Sequence, residues 1–141
     1  MFKKGIRIVA YLLAILIVFS VSTSAIELRS SEYLGTYYAD LLKTSDGDLS
    51  IYFSVTAPSR MDYLGANRIY IQRYTGSYWT TEYTFTYPET LELQGESTVR
   101  YSKKITYDPV YSSAQYRAVV TFYAAKGSGS DTGTYTTNSV S

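Results

Sequence analysis

The chain contains neither cysteine nor histidine. Without cysteine there is no disulfide framework and no thiol nucleophile. Without histidine there is no Ser-His-Asp or Cys-His pair, and zinc sites built on these two residue types are excluded as well. Proline is scarce, at 3 residues in 141, and there is a single tryptophan. Long stripes of helical period are missing. So is any basic cluster beyond the pair Lys103-Lys104, which argues against nucleic-acid binding. No Asn-x-Ser/Thr sequon exists, because Asn67 is followed by Arg68-Ile69 and Asn138 by Ser139-Val140.

What the chain does have begins with an address. Lys3, Lys4 and Arg7 form a positive opening, and residues 8–21 are an apolar run of 14 interrupted only by Ser20. Ser22-Thr23-Ser24-Ala25 then supplies small residues around a cleavage site, so residues 1–25 are expected to be a signal peptide. The alternative, an uncleaved anchor, needs roughly 20 apolar residues, and this run is shorter. No cysteine follows the run to carry a lipid, and residues 135–141 are polar. The expectation is a secreted, extracellular domain over residues 26–141, free of the membrane after cleavage and held together by its core alone.

Removing the leader takes away three of the 13 basic residues and none of the 12 acidic ones, so the mature part is slightly acidic. With 45% apolar and 18% charged residues overall, its composition is that of one folded domain. Sixteen of the 17 tyrosines lie there, among many threonines, serines and valines. Two segments alternate with period two. In residues 49–56 the odd positions Leu49, Ile51, Phe53 and Val55 are apolar. In residues 116–124 the row is Tyr116, Ala118, Val120, Phe122 and Ala124. Such alternation places one face in a core and the other in water, as in antiparallel sheets.

Turn signals divide the chain. Asp46-Gly47 precedes the Leu49 run, Pro58, Pro88 and Pro109 each follow a strand-like run, and residues 127–131 read as a flexible connector. Strands are expected near residues 36–43, 49–57, 67–75, 78–87, 98–107, 115–125 and 132–138. The first has a short helix as its alternative. Seven short strands of this spacing point to an all-β fold, an immunoglobulin-like antiparallel β-sandwich.

Tyr116 opens the penultimate strand, where sandwiches often keep a tyrosine whose hydroxyl bonds back to the preceding corner. The pattern Tyr116-x-Ala118-x-Val120, followed by Gly127 and a closing strand, resembles the last two strands of a fibronectin type III module. Phe53 stands where those modules favour a core tryptophan. A resemblance over most of the mature chain is to small exported proteins of Gram-positive anaerobes classed as a domain of unknown function. It is carried by Ser54-Val55-Thr56-Ala57, Met61-Asp62-x-Leu64-Gly65-Ala66, Tyr116-Arg117-Ala118-Val119-Val120 and Gly127-Ser128-Gly129-Ser130-Asp131. This resemblance implies export and no particular chemistry.

Few groups are left for catalysis. Asp46-Gly47-Asp48 has the spacing of some calcium loops, but a strand begins at once and no further acidic ligand follows, so it reads as a turn. The Gly127 segment lacks the lysine and the following helix of a phosphate loop. Paired carboxylates remain, from Glu82, Glu89, Glu92, Glu96 and Asp108, and all of these are read as solvated groups in connectors. No enzyme activity, metal or cofactor is expected.

The aromatic row of the central hairpin depends on register. If Gly76-Ser77 is a two-residue turn, Tyr74 pairs with Trp79 and Tyr70 with Tyr83. Tyr70, Tyr74, Trp79 and Tyr83 then form one exposed platform, opposite Ile69 and Ile71, that suits a glycan or protein ligand. If the loop has three residues, the second strand flips and Trp79, Tyr83 and Phe85 join the core. The expected function is a non-catalytic extracellular binding module using that face. The alternative is a structural or self-associating surface protein that pairs through exposed edges at 78–87 or 132–138.

Overall fold

A computed structural model describes residues 31–141, so the expected leader lies outside the described residues. The described part forms one compact unit. It has six strands: β1 (Tyr37–Lys43), β2 (Leu49–Tyr74), β3 (Trp79–Thr86), β4 (Gln94–Tyr107), β5 (Tyr116–Lys126) and β6 (Gly129–Thr136). A short 3-10 turn, Leu91–Leu93, precedes β4. All strand pairs are antiparallel.

The expected seven strands become six because the second and third are one. β2 runs for 26 residues, and Pro58, read above as a stop, lies inside it. Residues 57–60 form a bulge between the pairs Thr56↔Arg100 and Met61↔Thr98. A proline's missing N–H goes unneeded in such a bulge, which is why the strand survives it. The bulge also turns the sheet. Before it, β2 is flanked by β1 and β4; beyond Arg68, it is flanked by β3 and β5, with β6 outside β5. The single sheet thereby curls until its two halves face each other in the manner of a sandwich.

The two alternating rows supply the core between those halves. Leu49, Ile51, Phe53 and Val55 are all buried, as are Tyr116, Ala118, Val120, Phe122 and Ala124. Phe53 meets Phe122 edge-on across the interior with ring centroids 6.2 Å apart. Leu41, Met61, Leu64, Ile69, Ile71 and Leu93 join the same cluster. Burying each such side chain fully is worth about 1.5–3 kcal/mol, and in a chain without disulfides this is the main source of stability.

Local devices close the rest. The segment expected as strand or helix over 36–43 is β1, and Asp46-Gly47 lies in the turn that joins it to β2. There the Thr44 N–H donates to Asp48 O, and Gly47 takes φ 89°. The connector expected at 127–131 is instead a tight Gly127-Ser128 turn, with Lys126 already opposite Gly129 and β6 starting at once. Its Gly127 sits at φ 59°, the left-handed region that glycine enters without a Cβ penalty. On the inner side of β6, glycines leave room for tyrosines: a Cβ on Gly133 would sit 2.6 Å from Cζ of Tyr37. The free edge of β1 is covered by a side chain. Asn138 donates from Nδ2 to Leu41 O at 2.9 Å and accepts from Leu41 N at Oδ1 at 3.2 Å, so its amide stands in for a neighbouring strand.

Candidate functional site

The hairpin β2–β3 decides which rings share a face. The Thr75 N–H donates to Tyr78 O around Gly76-Ser77, with Gly76 at φ 97°, and Tyr74 lies opposite Trp79. The first of the two registers weighed above is therefore the one present at the turn. It does not persist. Gln72 pairs with Thr81, but Ile71 pairs with Tyr83, which leaves Glu82 as an extra residue on β3. That bulge reverses the parity of everything beyond it.

Tyr83 consequently leaves the expected platform. It sits on the inner side with Phe85, opposite Ile71 and Ile69. Its ring stacks on Tyr107 of β4 at 5.3 Å, and Phe85 meets the same ring edge-on at 6.3 Å. These three rings fill the side where β3 and β4 approach without pairing. Tyr83 remains 48% exposed, at the rim of that side.

Glu82 also departs from expectation. It is not a solvated connector residue but the bulge residue of β3, with a side chain only 9% exposed. Its Oε2 accepts from the Tyr107 hydroxyl at 2.7 Å and from the Val110 N–H at 3.3 Å, and its Oε1 accepts from the Tyr116 hydroxyl at 2.8 Å. Arg73 Nε lies 3.4 Å from Oε1 as an ion-pair contact, with the Tyr111 ring 4.2 Å from that guanidinium. Burial works against the carboxylate charge. The Tyr107 and Tyr116 hydroxyls, the Val110 N–H and Arg73 outweigh it and hold the carboxyl below its ordinary range. Burial and the Glu82 charge in turn push the Tyr116 phenol up to about 12, and Tyr107 is raised as well. The Tyr116 hydroxyl also accepts the Tyr111 N–H at 3.2 Å, the bond back to the preceding corner. At neutral pH the acid is ionised and both phenols are neutral, so the cluster ties β3, β4 and β5 together through hydrogen bonds to a charge.

The outer face of β3, β2 and β5 carries the other predicted residues. Trp79 is half-buried there: the Tyr74 ring lies 5.2 Å away and the Arg117 guanidinium 4.3 Å from the indole centroid. Arg117 Nε donates to Gln72 Oε1 at 2.8 Å, and Gln72 Nε2 donates to Thr81 Oγ1 at 3.4 Å. Further along, Arg68 Nη1 donates to the Tyr70 hydroxyl at 2.8 Å. Tyr70, Tyr74 and Trp79 thus share one face, while Arg68, Gln72 and Arg117 are partners that aromatic spacing alone did not reveal. Tyr78, at the hairpin tip, is a further exposed ring.

The same face ends in a hollow of about 320 Å³ lined by Tyr63, Asn67, Tyr87, Gln94 and Tyr123. Tyr123 follows Arg117 on β5 by six residues, roughly 20 Å at about 3.4 Å per residue. Asn67 occupies the bulge between the pairs Ala66↔Phe122 and Arg68↔Thr121. Gly65 lets the chain at Leu93 and Gln94 come close, since a Cβ there would collide with the Leu93 carbonyl and sit 2.7 Å from Gln94 Cα. Nothing in the sequence marks this hollow, because its five residues come from three strands and a turn.

These observations define an all-β domain built on an antiparallel curled sheet, with an aromatic and hydrogen-bonding outer face. No family model, curated protein or solved structure matches the chain.

Proposed function

We propose that this chain is a non-catalytic, exported binding module that takes a glycan on the outer face of β3, β2 and β5. The observation that carries the reading is the cluster of Tyr74, Trp79, Arg117 and Gln72. Aromatic rings offer area at little entropic cost to the apolar faces of sugars, and the fixed guanidinium and amide offer hydrogen bonds to sugar hydroxyls. The ionised Glu82, locked among neutral phenols, supports a non-catalytic role. The apolar run and small residues before position 26 support export. An immunoglobulin-like arrangement belongs to the same proposal: counting the halves of β2 separately, one layer reads β1, the first half of β2 and β4, and the other β3, the second half of β2, β5 and β6.

The test is a glycan array probed with the purified chain and with its Trp79→Ala and Tyr74→Ala variants, each checked for folding by urea denaturation. A defined glycan bound by the wild type and lost in folded variants is the expected result. Absence of any glycan hit, or a hit that survives both substitutions, overturns the assignment.

A further inference from the structure

The hollow at the far end of the outer face differs in chemistry from the Trp79 end. Its walls are three tyrosine rings, its remaining lining is two side-chain amides, and none of the five lining residues is charged. Gln94 is buried, and its Nε2 is committed to Ala66 O at 3.2 Å and Asn67 Oδ1 at 3.0 Å. Those two bonds fix both amides. Gln94 Oε1 is left as an acceptor and Asn67 Nδ2 as a donor, neither with a protein partner among the described residues and neither sealed from solvent. The hydroxyls of Tyr63, Tyr87 and Tyr123 belong to the lining as well, each able to donate and accept. An anion would find no cation here and an apolar ligand would strand the amides. A volume of about 320 Å³ lies at the small end of ligand sites, the size for one ring and not for an extended molecule.

We infer that this hollow is a second binding site, specific for a single uncharged pyranose. The sugar's ring stacks on tyrosine while its hydroxyls donate to Gln94 Oε1 and accept from Asn67 Nδ2. The ligand class rests on the glycan reading of the face, but the site is separate from the Trp79 cluster.

The test is a titration of the isotope-labelled full chain with glucose, galactose, mannose, N-acetylglucosamine and, as a charged control, glucuronate, followed by amide chemical shifts. At least one neutral sugar is expected to bind with a millimolar constant, moving amides around 63–67 and 122–124, while glucuronate does not. Asn67→Asp, which keeps the acceptor for Gln94 but removes the donor, and Tyr123→Ala should each weaken binding about tenfold or more. Trp79→Ala should change it less than about twofold. Shifts confined to the Trp79 end, equal binding of glucuronate, or no shift at about 50 mM sugar would each overturn the pocket. The first of these leaves the glycan reading of the Trp79 end standing. Conversely, pocket binding with a silent glycan array removes the Trp79 assignment and keeps the pocket.

Discussion

Replacing Glu82 by alanine takes away the acceptor of three donors and the counter-charge of a fourth group. The Tyr107 and Tyr116 hydroxyls and the Val110 N–H lose their bonds of 2.7, 2.8 and 3.3 Å, and Arg73 is left without the carboxylate 3.4 Å from its Nε. Because Glu82 is 9% exposed, water replaces little of this. Hydrogen bonds to a buried charge are worth about 1.5–3 kcal/mol each and are not additive, and removing one member of a buried charged network costs about 3–5 kcal/mol. That is a large part of the roughly 5–15 kcal/mol that holds a small domain folded. In urea denaturation, with a slope of about 1.5 kcal/mol/M, the midpoint should fall by roughly 2 to 3 M. Glu82→Gln keeps the shape and loses the charge, so it should cost about 1–2 kcal/mol. The pH dependence gives an independent check. The native carboxyl has a lowered pKa, so its contribution is complete above the ordinary carboxyl value and is lost as pH falls through the native one. Wild type and Glu82→Gln should therefore converge in stability in acid and separate toward neutrality. A loss under about 0.5 kcal/mol for Glu82→Ala, or a constant gap across acid pH, would refute the network as a source of stability.

Further outcomes follow from other parts of the molecule. Tyr116 is neutral in the fold with its phenol raised to about 12, so its contribution is complete below pH 10 and is lost as pH rises toward 12; that loss amounts to about 2–3 kcal/mol. Alkaline denaturation should fall more steeply above pH 10 in wild type than in Tyr116→Phe, which keeps only the raised Tyr107 phenol of this pair. Gly65→Ala drives a Cβ into the Leu93–Gln94 backbone, where nothing flexible can yield, and thermal melting should report a loss of about 2 kcal/mol or more. Asn138→Ala removes both bonds to the Leu41 backbone, with an expected cost of about 1–2 kcal/mol and faster hydrogen exchange at Leu41.

The strands were largely legible because alternation is a local signal. Leu49 to Val55 and Tyr116 to Ala124 declare their buried faces without any knowledge of partners. Bulges are not legible in this way. Nothing in the composition around Glu82 announces an extra residue, yet that residue turns Tyr83 inward and separates it from Tyr70 and Tyr74. Pro58 misled for a related reason: a bulge supplies the position where proline interrupts nothing. The outer face was half visible, through its rings. Arg117 and Gln72 reach it from positions 45 apart in sequence, and that kind of meeting is settled by pairing and not by local pattern.

β2 is the middle strand of both halves of the curled sheet, flanked by β1 and β4 at one end and by β3 and β5 at the other. In most two-layered domains a loop joins the layers and tolerates insertion or cleavage, because each layer keeps its own strands. Here the joint is the strand itself. A protease cut at 57–60 does not open a connection; it divides the one strand on which both halves of the sheet are hung. One fragment would then keep β1 and the first half of β2 while the other keeps the second half with β3 to β6, and β4 would be parted from the strand it lies against before the bulge.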